Sequence, residues 1–212
     1  ALKLDGSQAA ASNSISLPDA TGLNVTNTAA IGGAQVSDLT AAKATTVSIK
    51  NAHASNIAFD AVTVAKATDI TLGGGGKAGS IAVATLSGAA ATTLTIDSAD
   101  GTVSVPTLTA NKLTTINISG DNAVTVGNTG ATTAALATVA AGTATAVVTI
   151  GAAVDFASGA TVTTGTANDV LTLDVLTEMG VTVDMGEKAA DNDTLSISGV
   201  NNLGLTVVDL SA

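Results

Sequence analysis

Ala91-Thr92-Thr93-Leu94-Thr95-Ile96-Asp97 decides the fold, because variants of this heptad recur along the chain at a nearly fixed spacing. Its mark is an apolar pair, Leu94 and Ile96, with one residue between them and two threonines ahead. Before it, the same slot is filled by Leu23/Val25, Val47/Ile49 and Ile70/Leu72. After it come Ile116/Ile118, Val148/Ile150, Leu171/Leu173 and Leu195/Ile197. First members follow one another at steps of 24, 23, 24, 22, 32, 23 and 24. All but one of these agree closely, and the long one is read as holding an insertion of about eight. A fixed period between roughly 20 and 50 residues is the mark of a repeat architecture.

Two further columns share the period. Ile15, Leu39, Val62, Leu86 and Leu108 each precede a pair by eight positions. Ile57/Phe59, Ile81/Val83, Val103/Val105 and Val124/Val126 follow one by eight to eleven, and Val181/Val183 and Leu205/Val207 are taken as the same column near the C-terminus. Short period-2 segments separated by Gly, Asn, Asp and Ala read as strands joined by turns. The expected fold is all-β: a parallel β-solenoid (β-helix) of about eight coils, with a period of 22–24 and three short strands per coil. Residues 1–126 are assigned to regular coils, 127–146 to an insertion or loop, and 147–212 to a continuing solenoid with acidic turns.

Composition supports a thin core. Alanine is the largest single part of the 46% apolar share, and Phe59 and Phe156 are the only aromatic residues. One layer of Val, Ile and Leu per coil fills a solenoid, whereas a compact globule of this size would lack bulk. Abundant Thr and Val favour strands. Fifteen Asp, two Glu and seven Lys, with no Arg, give a net charge of −10. That balance argues against nucleic acid and anionic lipid headgroups as partners and is compatible with divalent cations. There is no cysteine and no apolar run long enough to span a bilayer, so no disulfide framework and no membrane insertion are expected. Beginning at Ala1 without a leader, the chain is expected to be processed or part of a longer polypeptide.

Catalysis has little to work with. His53, the single histidine, falls in the turn Asn51-Ala52-His53-Ala54-Ser55, with no catalytic partner nearby in sequence. Polysaccharide lyases that use solenoids need basic and aromatic side chains, and this chain has no Arg, Trp or Tyr. Gly73 to Gly76 lack the Lys-Ser/Thr pair of a phosphate loop and read as a flexible corner. No catalytic residues are assigned, and no enzyme is expected. Pro18 and Pro106 are placed beside strand ends, where a missing N–H is tolerated.

The C-terminal turns hold the candidate site. Asn168-Asp169 and Asn192-Asp193 each stand immediately before an apolar pair and are separated by one repeat. In adjacent coils they would lie about 4.8 Å from one another. Carboxylates at that distance repel unless one is protonated or a cation lies between them. Calcium suits such oxygen ligands, and Asp174 and Asp191 could complete the set. The plainer alternative is that all are turn residues in water.

Gly165-Thr166-Ala167-Asn168-Asp169-Val170-Leu171-Thr172-Leu173 resembles a degenerate form of the calcium-binding repeat of RTX proteins. Leu113-Thr114-Thr115-Ile116-Asn117-Ile118-Ser119-Gly120-Asp121 resembles the threonine-rich coils of calcium-dependent bacterial surface-layer (S-layer) proteins. The resemblance implies a secreted, cell-surface protein whose calcium-ordered solenoids self-assemble into a coat or filament. Its partners would be further copies of itself and cell-surface polysaccharide. The full Gly-Gly-x-Gly-x-Asp repeat is absent, because Thr166 and Ala167 replace glycine-turn residues. A second reading is a calcium-stabilised adhesin segment with an ice-binding ladder of outward threonines. In that alignment Asp69, Asn117, Val147 and Val170 interrupt the ladder.

Overall fold

Alternation along each repeat sends one set of side chains inward and the other outward, and parallel stacking of the repeats then buries the inward set. A computed structural model describes residues 2–4, 14–28, 35–129, 136–151, 156–174, 180–186, 192–198 and 206–209. The chain is an all-β parallel solenoid of two sheets. Sheet A stacks β1 (Leu2–Leu4), β3 (Gly22–Asn27), β5 (Thr46–Asn51), β7 (Asp69–Gly73) and β9 (Thr93–Asp97). It continues through β11 (Thr115–Gly120), β13 (Leu136–Ala144), β15 (Phe156–Thr163), β17 (Thr182–Asp184) and β19 (Thr206–Asp209). Sheet B stacks β2 (Ile15–Ser16), β4 (Gln35–Thr40), β6 (Ile57–Thr63), β8 (Ile81–Ser87) and β10 (Val103–Thr109). Beyond these lie β12 (Val124–Thr129), β14 (Val148–Ile150), β16 (Val170–Asp174) and β18 (Thr194–Ser198). Ten rungs about 4.8 Å apart give a stack roughly 43 Å long.

Each coil therefore has two strands, not three. Ile57, Phe59 and Val62, assigned above to separate columns, all lie in β6 and all face the core. Between Phe59 and Val62 two successive residues face away, so the inward parity shifts by one and the strand bends. The same bend in β10 falls at Pro106, inside the strand and exposed, instead of beside its end.

The second correction concerns the long step. Leu23, Val47, Ile70, Leu94, Ile116, Val139, Val162, Val183 and Val207 pair rung by rung in sheet A, at steps of 24, 23, 24, 22, 23, 23, 21 and 24. Val148/Ile150, Leu171/Leu173 and Leu195/Ile197 belong to sheet B, which Val124/Val126 also line. The long step is one ordinary coil plus the path from Ile116 in sheet A to Val124 in sheet B. Residues 136–144, inside the stretch expected to be an insertion, form β13 and pair on both sides. Val181/Val183 likewise continue the sheet A column, not the one assigned to them. Within sheet B the doublets also slip once: Leu171 pairs with Ile150, not with Val148.

The corner leading from sheet B into sheet A is short. Ala44, Ala67, Ala91 and Leu113 donate their N–H groups to Ala41, Val64, Gly88 and Ala110, closing four-residue turns one above another. The two threonines that follow have separate tasks. Thr45, Thr68, Thr92 and Thr114 each donate both backbone N–H and hydroxyl to the carbonyl of the threonine one coil before. In the coils of Thr93 and Thr115 the second threonine opens the sheet A strand. Inside, a single layer of aliphatic side chains from Leu23 to Met185 is buried, each worth about 1.5–3 kcal/mol relative to exposure.

At the opposite, longer corner the glycine run is held tightly. Gly73 has φ 106°, and a Cβ on it would fall 1.8 Å from the carbonyl oxygen of Asp97. Gly75 and Gly76 donate N–H groups to Asp100 Oδ2 at 2.8 and 2.6 Å. Gly76 has φ 78° but open space around it. Gly73→Ala should therefore reduce unfolding free energy by several kcal/mol, whereas Gly76→Ala, strained only in its backbone, should cost about 1–2 kcal/mol. Urea unfolding of both variants checks this; equal losses would contradict the close approach at Gly73.

Candidate functional site

All the buried polar side chains among the described residues (Asn27, Asn51, Ser98, Thr164 and Asp169) lie at or beside this long corner. Four of them follow from the strand period. Asn27 and Asn51 stand two positions beyond the inward Val25 and Ile49, and Ser98 and Thr164 two beyond Ile96 and Val162. The inward column thus runs past the aliphatic core and ends on a small polar group, which must find partners there. Asn27 Nδ2 donates to Asn51 Oδ1 at 3.0 Å. Asn51 Nδ2 donates to the carbonyls of Ser55 and Ser80, and its Oδ1 accepts the N–H of His53. Ser98 and Thr164 donate hydroxyls to the carbonyls of Ser119 and Met185. His53 is part of the same corner: its Nδ1 accepts the N–H of Ser55 at 3.0 Å.

Asp169 is the exception, and it comes from the slip of register in sheet B. Where that sheet begins in four successive coils, the first inward residue donates its N–H to a backbone carbonyl one coil on. The pairs are Ile57 to Ser80, Ile81 to Thr102, Val103 to Ala123 and Val124 to Val147. The fifth donor, Val148, has instead the Asp169 carboxylate, Oδ1 at 2.7 Å. Because Thr149 pairs with Val170 and Ile150 with Leu171, Asp169 falls on the rung of Val148. It thereby occupies the inward slot that Ile57, Ile81, Val103, Val124 and Val148 fill in the coils before it. Its Oδ2 accepts the N–H of Gly165 at 2.9 Å, and the residue is fully buried. A side-chain oxygen stands where the earlier coils use a backbone carbonyl.

The two Asn-Asp turns do stack. Val170 pairs with Thr194, so Asn168 and Asp169 stand over Asn192 and Asp193. The contacts run from backbone to side chain: Asp169 N–H donates to Asp193 Oδ1 at 2.8 Å, and Asn192 N–H to Asn168 Oδ1 at 2.7 Å. Asp169 is buried at the end of the core, which the alternative of a turn residue in water does not match. Of the six candidate ligands, Asp191 and the side chain of Asp174 lie outside the described residues. Oxygens of Asn168, Asp169 and Asp193 accept N–H groups, and both oxygens of Asp169 do so. The N–H groups of Val148 and Gly165 thus supply the positive partners of the buried Asp169 oxygens. Among the described residues no three His, Cys, Asp or Glu side chains gather as metal ligands would. This arrangement closes turns between stacked coils.

Burial pushes the Asp169 carboxyl above its ordinary value, and the charge of Asp193 adds to the rise. The N–H groups of Val148 and Gly165, with the hydroxyl of Thr164, oppose it. At the glycine corner the N–H groups of Gly76 and Gly75 draw the Asp100 carboxyl the other way, below its ordinary value.

Asp169→Ala leaves two N–H groups without acceptors in the core, each costing about 1–3 kcal/mol. The loss should be the same in EDTA and in millimolar calcium; a loss seen only with calcium present would contradict the hydrogen-bond role. Because the folded carboxyl titrates above the unfolded one, its contribution is full below about pH 4 and declines as pH rises through the folded value. The melting-temperature gap between the parent and Asp169→Asn should therefore narrow from pH 4 to pH 7. A gap that widens over that range would contradict the direction of the shift.

Compared with protein-family models, curated proteins and solved structures, the chain matches none, so its function is read from these residues alone.

Proposed function

We propose that this chain is a structural rod segment of a secreted, self-assembling surface coat or filament and performs no catalysis. The carrying observation is the stack itself, which runs through both sheets without a break among the described strands. Such a stack gives length and stiffness, and its terminal strands offer N–H and C=O groups in a row to a further strand. β1 and β2 at one end, and β19 and β18 at the other, each have a neighbour on one side only among the described strands. End-on strand addition from a second copy extends the rod with the same contacts that hold it together. An ion at the acidic turns would draw on Asn168, Asp169, Asn192 and Asp193, with Asp174 and Asp191 beside them in sequence. No described helix is long and apolar enough to cross a membrane.

A second reading gains from the corrected register. Val147 and Val170 are not in the threonine ladder at all, because they belong to the sheet B side of the coil. The sheet A column holds Thr93, Thr115, Thr138, Thr161 and Thr182 on five consecutive rungs. The neighbouring outward column is mixed, with Thr95, Asn117, Ala140, Thr163 and Asp184. A flat hydroxyl and methyl lattice of this kind could order water on an ice surface, and thermal hysteresis measures it directly.

For the principal reading, light scattering and negative-stain electron microscopy of the concentrated full chain should reveal linear multimers whose width is that of one rod. Single copies at every concentration would overturn it.

A further inference from the structure

The stack is continuous, but it thins at one level. β14 pairs with β12 along its whole length, Val148 to Ile150. On its other side it is in register with β16 at Thr149/Val170 and Ile150/Leu171 alone. Other sheet B ladders are longer: β16 and β18 match from Val170/Thr194 through Asp174/Ser198, and β6 and β8 from Ile57/Ile81 through Thr63/Ser87. Sheet A is irregular between the same two coils. Leu136 and Thr138 are two steps apart on β13, while their partners Phe156 and Thr161 are five apart, so β15 bulges by three residues. Gly159, with φ 76°, lies in that bulge.

The long corner makes good part of the loss. Thr166 donates its N–H to the Ala144 carbonyl at 3.2 Å, and Val148 donates to Asp169 Oδ1 at 2.7 Å. Asp169 Oδ2 meanwhile accepts the N–H of Gly165 in its own coil. One buried side chain thus ties the corner of one coil to the first inward residue of the coil before it. In a solenoid each repeat touches only its neighbours, so stability is a sum of repeat and interface terms. A single weak interface then divides the rod into parts that open separately.

We propose that the chain behaves as two cooperative units, β1–β14 and β15–β19, which part at this interface, with the Asp169 side chain as the pin between them. Parting uncovers the edges of β13 and β14 while the coils before them stay folded, and such an edge can accept another strand. The device belongs to a single copy and does not depend on the assembly reading.

Native-state hydrogen exchange of the full chain in low urea, read strand by strand, tests it. Amides of β15, β16 and β18 should share one urea dependence and exchange at least about tenfold faster than those of β5 to β11, with the step falling between β14 and β16. A smooth gradient from the C-terminal end would be fraying and overturns the two units; exchange of all strands in one step overturns them as well. Asp169→Ala should speed exchange at least about tenfold further in β15, β16 and β18 and leave β5 to β11 unchanged. Asp169→Asn, which keeps an acceptor oxygen for one of the two N–H groups, should do so to a smaller extent. Equal acceleration on both sides of the interface, or none on either, overturns Asp169 as the pin.

Discussion

Every coil must present its backbone N–H and C=O groups at the height where the next coil can accept them. A parallel stack has no other way to satisfy its interior, since buried backbone groups without partners cost about as much as lost hydrogen bonds. That demand fixes the path length of a coil, and the path length fixes the period. Leu94 recurs as Ile116, Val139 and Val162 because each circuit brings the chain back beneath itself. The aliphatic core follows from the stack; with one layer of Val, Ile and Leu per coil it is too thin to impose the fold unaided.

Side chains are recruited where the path deviates. At the short corner, threonine hydroxyls only reinforce bonds the backbone already makes, as Thr92 does toward Thr68. At the long corner, where the route varies most, Asn51 bonds to three other segments of chain and Asp100 ties down Gly75 and Gly76. After β14 the deviation reaches the ladder itself, and Asp169 supplies an oxygen where earlier coils supply a carbonyl. Burying a carboxyl there is costly, and its raised titration is the sign of that cost. The acidic turn is thus a consequence of coil register before it is anything else.

What the sequence could reveal follows from the same constraint. Parallel coils were legible because the doublets Leu23/Val25 to Ile116/Ile118 repeat at the path length of one coil. Sheet membership was not, since Val148/Ile150 in sheet B has the same spelling as Leu94/Ile96 in sheet A. Periodicity counts residues per coil and says nothing about which face of the coil a doublet lines. The bend in β6 and β10 misled in the same way: two outward residues in a row look like a turn between strands. Stacking of Asp169 over Asp193 was legible from their separation by one repeat. That Asp169 faces inward follows from its place two positions before Leu171, but the rung it stands on was not legible, because matching doublet to doublet sets Leu171 over Val148, whereas its partner is Ile150. Asn27 and Asn51 could have been found by extending the period-2 count two positions past Val25 and Ile49.

The central claim is that sheet A runs from Ile116 to Val139, so that Thr115 and Thr138 are neighbours and Val147 lies on the other side of the coil. The chain has no cysteine, so spin labels can be attached to single introduced cysteines without interference. Paired labels at Thr115 and Thr138 should show strong dipolar broadening, and labels at Thr115 and Val147 should show little. Strong coupling in the Thr115–Val147 pair, with none between Thr115 and Thr138, would contradict the register and the account built on it.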